Sequence, residues 1–178
     1  VSKGIRINTG ATLTVYAQSE DETTMGKIMS TAPENDKAGI GGNKDYQAGT
    51  LIIHGGSIEA KSTGKYAAGI GGGYGDGSGM KAITIYGGIV KATAAQYGAG
   101  IGGGKNNNNP GTITIYGGEV TATGAQHGAG ICGGENPDGW SGTINDGKGV
   151  ATGGPYGGGI GGGYLAHGGS IPINGGKG

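Results

Sequence analysis

The chain of 178 residues has no phenylalanine, one tryptophan (Trp140), one cysteine (Cys132) and one arginine (Arg6). Each shortage excludes something. Without phenylalanine, small and medium aliphatic side chains must fill the interior, which suits a narrow core. A single cysteine excludes an intrachain disulfide. Net charge is zero, from 12 basic and 12 acidic residues. A nucleic-acid partner needs a basic stripe, so none is expected. No apolar run approaches the roughly 18 residues of a membrane-spanning helix. No 3.6-residue period is sustained long enough to predict a sizeable α-helix. The chain begins at Val1 with no secretory leader, which reads as a processed or excised piece.

Glycine is what the chain has in excess, with 49 residues. It does not fall at every third position, so a collagen triple helix is excluded. The apolar residues keep a strict period, which argues against disorder. Ala38-Gly39-Ile40-Gly41-Gly42 returns around Ile70, Ile101, Ile131 and Ile160, at intervals of 30, 31, 30 and 29 residues. Such a period marks a small unit stacked on copies of itself, each too small to bury a core alone. Cys132 stands where the other copies have glycine. It reads as a small-residue variant at a tolerant position, ahead of a reactive thiol.

The third copy shows the unit. Ala99-Gly100-Ile101 is a short apolar strand, and Gly102–Gly111 is a loop. Thr112–Tyr116 and Glu119–Thr123 alternate with period two on either side of Gly117-Gly118. Glycine suits the corners, where positive φ or close backbone approach is needed. The expected fold is all-β, a right-handed parallel β-helix of about five coils of roughly 30 residues, with three short strands in each. Residues 1–37 read as a first partial coil with a polar insertion over residues 17–26, and residues 38–178 as the repeated coils of a single domain. The predicted interior ladders are Ile40 to Ile160; Leu13, Leu51, Ile83, Ile113, Ile144 and Ile171; Val15, Ile53, Ile85, Ile115 and Ile173; and Ile28, Ile58, Val90, Val120 and Val150. The segment Thr143–Val150 departs from the repeat and is expected to be irregular.

The units GAGIGGG and TITIYGGEVTATG resemble the glycine-rich β-helix repeats of secreted or wall-anchored surface proteins of Gram-positive bacteria. The resemblance covers Ala38 to Gly176. It implies an extracellular or cell-wall location and an adhesive or carbohydrate-binding role. It carries no catalytic residue over to this chain.

Two outward features are candidates for binding. Tyr16, His54, Tyr86 and Tyr116 recur at one strand position and read either as a platform for sugar rings or as self-stacking that strengthens the sheet. The loops after each isoleucine carry Asp45, Tyr46, Tyr74, Asp76, Asp138, Trp140 and Tyr164 along one edge. Aromatic faces beside carboxylates suit polyhydroxylated ligands; Asn, Asp and Gly also serve ordinary turn chemistry. On the loop-edge reading, Trp140→Ala and Tyr74→Ala weaken glycan binding without changing stability. A further row, Tyr66, Tyr97, His127 and Tyr156, reads as corner packing.

No cofactor is expected. Oxygen-rich loops admit calcium, although no D-x-D-x-D-G loop is present. The histidines His54, His127 and His167 occupy different positions of the repeat, which does not make a zinc site. An enzyme would need paired carboxylates, for which only Asp45, Asp76 and Asp138 offer material. An ice-binding face would need a flat Thr-x-Thr array. Thr12 with Thr14 and Thr121 with Thr123 supply pairs, but Glu59-Ala60-Lys61 and Lys91-Ala92-Thr93 interrupt it. The favoured expectation is a non-catalytic surface module that binds a polysaccharide or host glycan. The alternatives are a stalk or filament subunit joined end to end and a polysaccharide-degrading enzyme.

Overall fold

The structure, a computed structural model, describes residues 3–19, 21–109, 111–136 and 140–175. The chain winds through short strands in repeated rungs. The first rung is β1 (Ile5–Arg6), β2 (Thr12–Val15) and β3 (Lys27–Ala32). Next come β4 (Ile40–Gly41), β5 (Ala48–Ile53) and β6 (Ser57–Ser62), then β7 (Ile70–Gly71), β8 (Met80–Ile85) and β9 (Ile89–Thr93). They are followed by β10 (Ile101–Gly102), β11 (Thr112–Ile115) and β12 (Glu119–Thr123), by β13 (Ile131–Cys132), β14 (Ser141–Ile144) and β15 (Lys148–Thr152), and by β16 (Ile160–Gly161).

Equivalent strands of successive rungs pair in parallel. They make sheet A (β1-β4-β7-β10-β13-β16), sheet B (β2-β5-β8-β11-β14) and sheet C (β3-β6-β9-β12-β15). The protein is therefore an all-β parallel solenoid. The five strands of sheets B and C span about four turns, slightly fewer than the expected five, and β1 adds a sixth strand to sheet A, pairing Ile5 with Ile40. Arg6 pairs with Gly41 at the sheet edge. Among the described residues no helix is long and apolar enough to cross a membrane.

The core is a column of aliphatic ladders, with Ile70, Ile83, Ile85, Val90 and Ile101 fully buried in its middle. Each such side chain contributes roughly 1.5–3 kcal/mol on leaving water. Two predicted ladders need correction. Ile144 pairs with Ile115, and Gly142 stands opposite Ile113, so Ile144 extends the ladder that ends at Ile173. Gly149 pairs with Val120, and Val150 pairs with Thr121 and points outward at 59% exposure. The segment expected to be irregular is regular in pairing: β14 and β15 follow β11 and β12 in full register. What changed is its side chains. Two inward positions that carry isoleucine and valine one rung earlier carry glycine here.

Candidate functional site

The strand-position aromatics form a stack. Ring centroids of Tyr16, His54, Tyr86 and Tyr116 lie 4.6, 4.8 and 4.9 Å apart, and the planes differ by 1°, 3° and 4°. The backbone ladder imposes this spacing, and each contact stabilises the sheet by about 0.2–1 kcal/mol. A sugar ring stacks on an open aromatic face. Here the inner rings give both faces to their neighbours. Tyr116 is 48% exposed, as is doubly covered Tyr86, whereas terminal Tyr16 is 71% exposed. The row therefore presents edges and hydroxyls, with one open face at Tyr16. Beyond Tyr116 the row continues as Asn145 and Asn174, joined by a 2.9 Å amide hydrogen bond.

The corner row and the loop edge, separate in the sequence, are one surface in the fold. Four residues before each core isoleucine stand Asp36, Tyr66, Tyr97, His127 and Tyr156; four residues after it stand Lys44, Tyr74, Lys105, Glu135 and Tyr164. Backbone bonds lock the two rows side by side. Lys105 N–H donates to the Tyr66 carbonyl (2.7 Å), Glu135 N–H to Tyr97 (2.9 Å) and Tyr164 N–H to His127 (2.7 Å). The rings then meet: Tyr66 lies 4.7 Å from Tyr74 and 5.6 Å from Tyr97, and His127 lies 5.0 Å from both Tyr97 and Tyr164. One residue further on, Asp45, Asn106, Asn136 and Leu165 turn the chain with φ of 54–58°. Asp and Asn tolerate that left-handed conformation readily; Leu165 adopts it at a steric cost of about 1–2 kcal/mol.

The middle of this surface is occupied by its own charged and aromatic side chains. Lys105 Nζ sits 4.1 Å from the Tyr97 ring centroid and 2.7 Å from Glu135 Oε1. Burial works to lower the Lys105 pKa, but the hydrogen bond and charge of Glu135 outweigh it and hold the ammonium above its ordinary value. Glu135 is buried, and its other oxygen lies 2.9 Å from His127 Nδ1.

The first rungs of the double row are different. Asp36 stands where later rungs of the corner row have rings, so that row stops at Tyr66, which packs against Tyr74; at the other position Lys44, like Lys105 and Glu135, is charged where Tyr74 and Tyr164 carry rings. A cleft of about 520 Å³ opens there, lined by those two rings and by Pro33, Glu34, Asn35, Asp36 and Lys44. Lys37 Nζ bonds Glu34 Oε1 at 3.1 Å and holds its carboxyl below the usual range. Of the loop-edge candidates, Tyr74 lines this cleft. Tyr46 is exposed beneath the Arg6 guanidinium, 5.5 Å from its ring centre, and Tyr164 belongs to the far end of the double row. Asp45 and Asp76 are both exposed but occupy different positions, five and six residues after their isoleucines. Asp138 lies outside the described residues.

Trp140 is not on the loop edge. It is 1% exposed and belongs to the core cluster. Trp140 shares the inward parity of Gly142 and Ile144, a signal that was readable in the sequence. Its ring occupies space left by Gly103 and Gly111, where an added Cβ would stand 2.9 and 3.2 Å from ring atoms. Cys132 is also a core residue. Its position is not tolerant: Gly41, Gly71 and Gly102 adopt φ of 134–138° there, and Cys132 is held at 96°. Its Sγ lies 3.6 Å from where Gly142 lacks a Cβ, so the thiol fills part of that gap. Burial pushes the Cys132 thiol up to about 12. At mildly alkaline pH the native thiol should therefore resist alkylation, reacting only as fast as the chain unfolds; alkylation at the rate of a free thiol would refute its burial.

Among the described residues no group of three or more His, Cys, Asp or Glu side chains could hold a metal ion. The Beta helix repeat family matches three successive segments, residues 51–74, 83–105 and 113–135. Each begins in sheet B, runs through sheet C and ends just past a sheet A strand, so the matched unit is the solenoid rung itself. The chain is thus similar to parallel β-helix repeats. Neither a curated protein nor a solved structure gives a significant match.

Proposed function

We propose that this protein is a non-catalytic, extracellular surface module that binds a glycan in the cleft at the head of the double row. The supporting observation is the ending of the aromatic corner row at Tyr66, with Tyr74 packed beside it, in a cleft of about 520 Å³ lined also by carboxylates, an amide and Lys44. A sugar ring has apolar C–H faces and polar hydroxyl edges. Two tyrosine rings on the floor and mixed acceptors and donors on the walls match both. The walls belong to rigid rungs and the loops between them, a common arrangement for binding residues. Adhesion to a host or microbial polysaccharide is the role such a module would serve.

The test is a glycan array followed by calorimetry on the best ligand. Tyr74→Ala should weaken binding about tenfold, or about 1.4 kcal/mol. Asp36→Asn should weaken it too, and both variants should keep a cooperative unfolding transition near that of the parent. Unchanged affinity in both would move the site elsewhere.

One observation favours a second reading, a subunit that stacks end to end. At the last rung the interior opens as an apolar cavity of about 210 Å³ between Val120, Ile131, Ile144, Ala151, Ile160 and Ile173. A blank array together with rods growing with concentration would support that reading.

A further inference from the structure

The solenoid has two outer faces of opposite character. The outward positions of sheet C carry Lys27, Glu59, Lys61, Lys91, Glu119 and Lys148, with Lys148 lying 3.6 Å from Glu119. Apart from Lys81, exposed near the start of β8, the outward positions of β2, β5, β8, β11 and β14 carry no charge. One row is Thr12, Thr50, Ala82, Thr112 and Ser141. The next is Thr14, Ile52, Thr84, Thr114 and Thr143.

The register removes the objection raised by the sequence to a Thr-x-Thr array. Glu59-Ala60-Lys61 and Lys91-Ala92-Thr93 share sheet C with Thr121 and Thr123. Thr12 and Thr14 belong to sheet B, where each following rung repeats an uncharged pair. The array is rigid: threonine and isoleucine are stiff at χ1, and every row is pinned by backbone pairing. Its repeat is about 4.8 Å across strands and about 7 Å along them. Among the described residues, no hydrogen bond ties these threonine hydroxyls to another protein group.

The dimensions and chemistry select the partner. Two rows over five strands make a plane of about 7 by 19 Å, far below the roughly 800 Å² per side of a stable protein interface. With Lys81 the one charge on its strands, the face lacks the cluster of basic groups that phosphate or an acidic polymer would need. A crystalline polysaccharide would call for open ring faces, and the bordering tyrosine row has its inner faces paired. A lattice of water requires only hydroxyls and methyls held rigidly at regular spacing, and the rung repeat is close to that of hexagonal ice. We propose that the outer face of sheet B binds ice. The hydroxyls hold surface water at lattice spacing, and the methyls between them keep that layer ordered. The inference is independent of the glycan reading, which uses a different edge of the solenoid.

The experiment measures thermal hysteresis and ice recrystallisation with the whole chain, beside two double variants. Thr84→Lys with Thr114→Lys places charges on sheet B; Thr93→Lys with Thr123→Lys does the same on sheet C. All four side chains face outward, and circular dichroism checks that folding is kept. Faceted crystals and hysteresis are expected from the parent and the sheet C variant, with loss of both in the sheet B variant. Should the sheet B pair unfold, Thr112→Lys alone takes its place. Absence of ice activity in the parent, or equal loss on both faces, overturns the proposal.

Discussion

Trp140→Ala will destabilise the fold by about 3–5 kcal/mol, the range found when a large buried aromatic is deleted from a packed core. That is a large share of the 5–15 kcal/mol that typically separates folded from unfolded states. The reason is local bookkeeping of volume. One rung earlier the inward position is Ile113; here it is Gly142, and the missing bulk is supplied by Trp140 two residues before it and by Cys132 from sheet A. Removing the indole empties a site that has no isoleucine to collapse into. The indole Nε1 has no hydrogen-bond partner among the described residues. Trp140→Phe deletes that buried unpaired donor while keeping most of the ring, so it should cost less than Trp140→Ala. Denaturant unfolding followed by circular dichroism measures both. A midpoint unchanged in Trp140→Ala would place the ring outside the core. Glycan affinity measured on the folded fraction should not change, because Trp140 does not line the cleft.

The solenoid was legible because its signal is repeated. The isoleucine motif recurs with almost constant period, which fixes the register of sheet A, and the strands TLTVY, LIIH, ITIY and TITIY alternate in the same sense. Errors arose where composition drifted while geometry held. Val150 is a valine at nearly the inward spacing of the repeat, but strand pairing puts Gly149 at the inward position instead. Variable loop lengths between sheets A and B leave the register open by one or two residues, and only backbone pairing closes it. The double row was hidden for another reason. Its members sit eight residues apart, and nothing in their types shows that the AGIGG segment folds them together. That reversal depends on backbone angles: Gly71 and Gly102 adopt φ of 134° and 138° beside the isoleucines. The cleft was therefore readable only in part. Tyr74 was visible as an aromatic loop residue, whereas Asp36, Lys44 and Tyr66 required knowledge of which rung lies over which. The charge asymmetry between sheets B and C has the same origin, since it emerges only after each outward residue is assigned to its sheet.

Gly71→Ala is expected to prevent stable folding, and the last rung provides its control. At Gly71 a Cβ would lie 2.0 Å from the carbonyl oxygen of Gly102. That oxygen accepts the 2.8 Å hydrogen bond from Gly72 N–H, so it cannot move aside without breaking the rung contact. The left-handed backbone at φ 134° adds a cost of about 1–2 kcal/mol for any residue with a Cβ. Losing the bond and stranding a buried donor adds about 1–3 kcal/mol, before any steric strain. Gly161 holds the equivalent position with φ 119°, but nothing lies within 4 Å of its Cβ direction. Gly161→Ala therefore incurs only the backbone cost and should leave a folded protein with a modestly lower midpoint. The difference between the two variants isolates the close approach of rungs from the conformational preference of glycine. Equal destabilisation would mean that backbone angle alone fixes glycine in this ladder. A much larger loss at Gly71 would mean that the rung spacing at φ 134–138° leaves no room for a side chain, and that Cys132 fits the same ladder because its backbone sits at φ 96°.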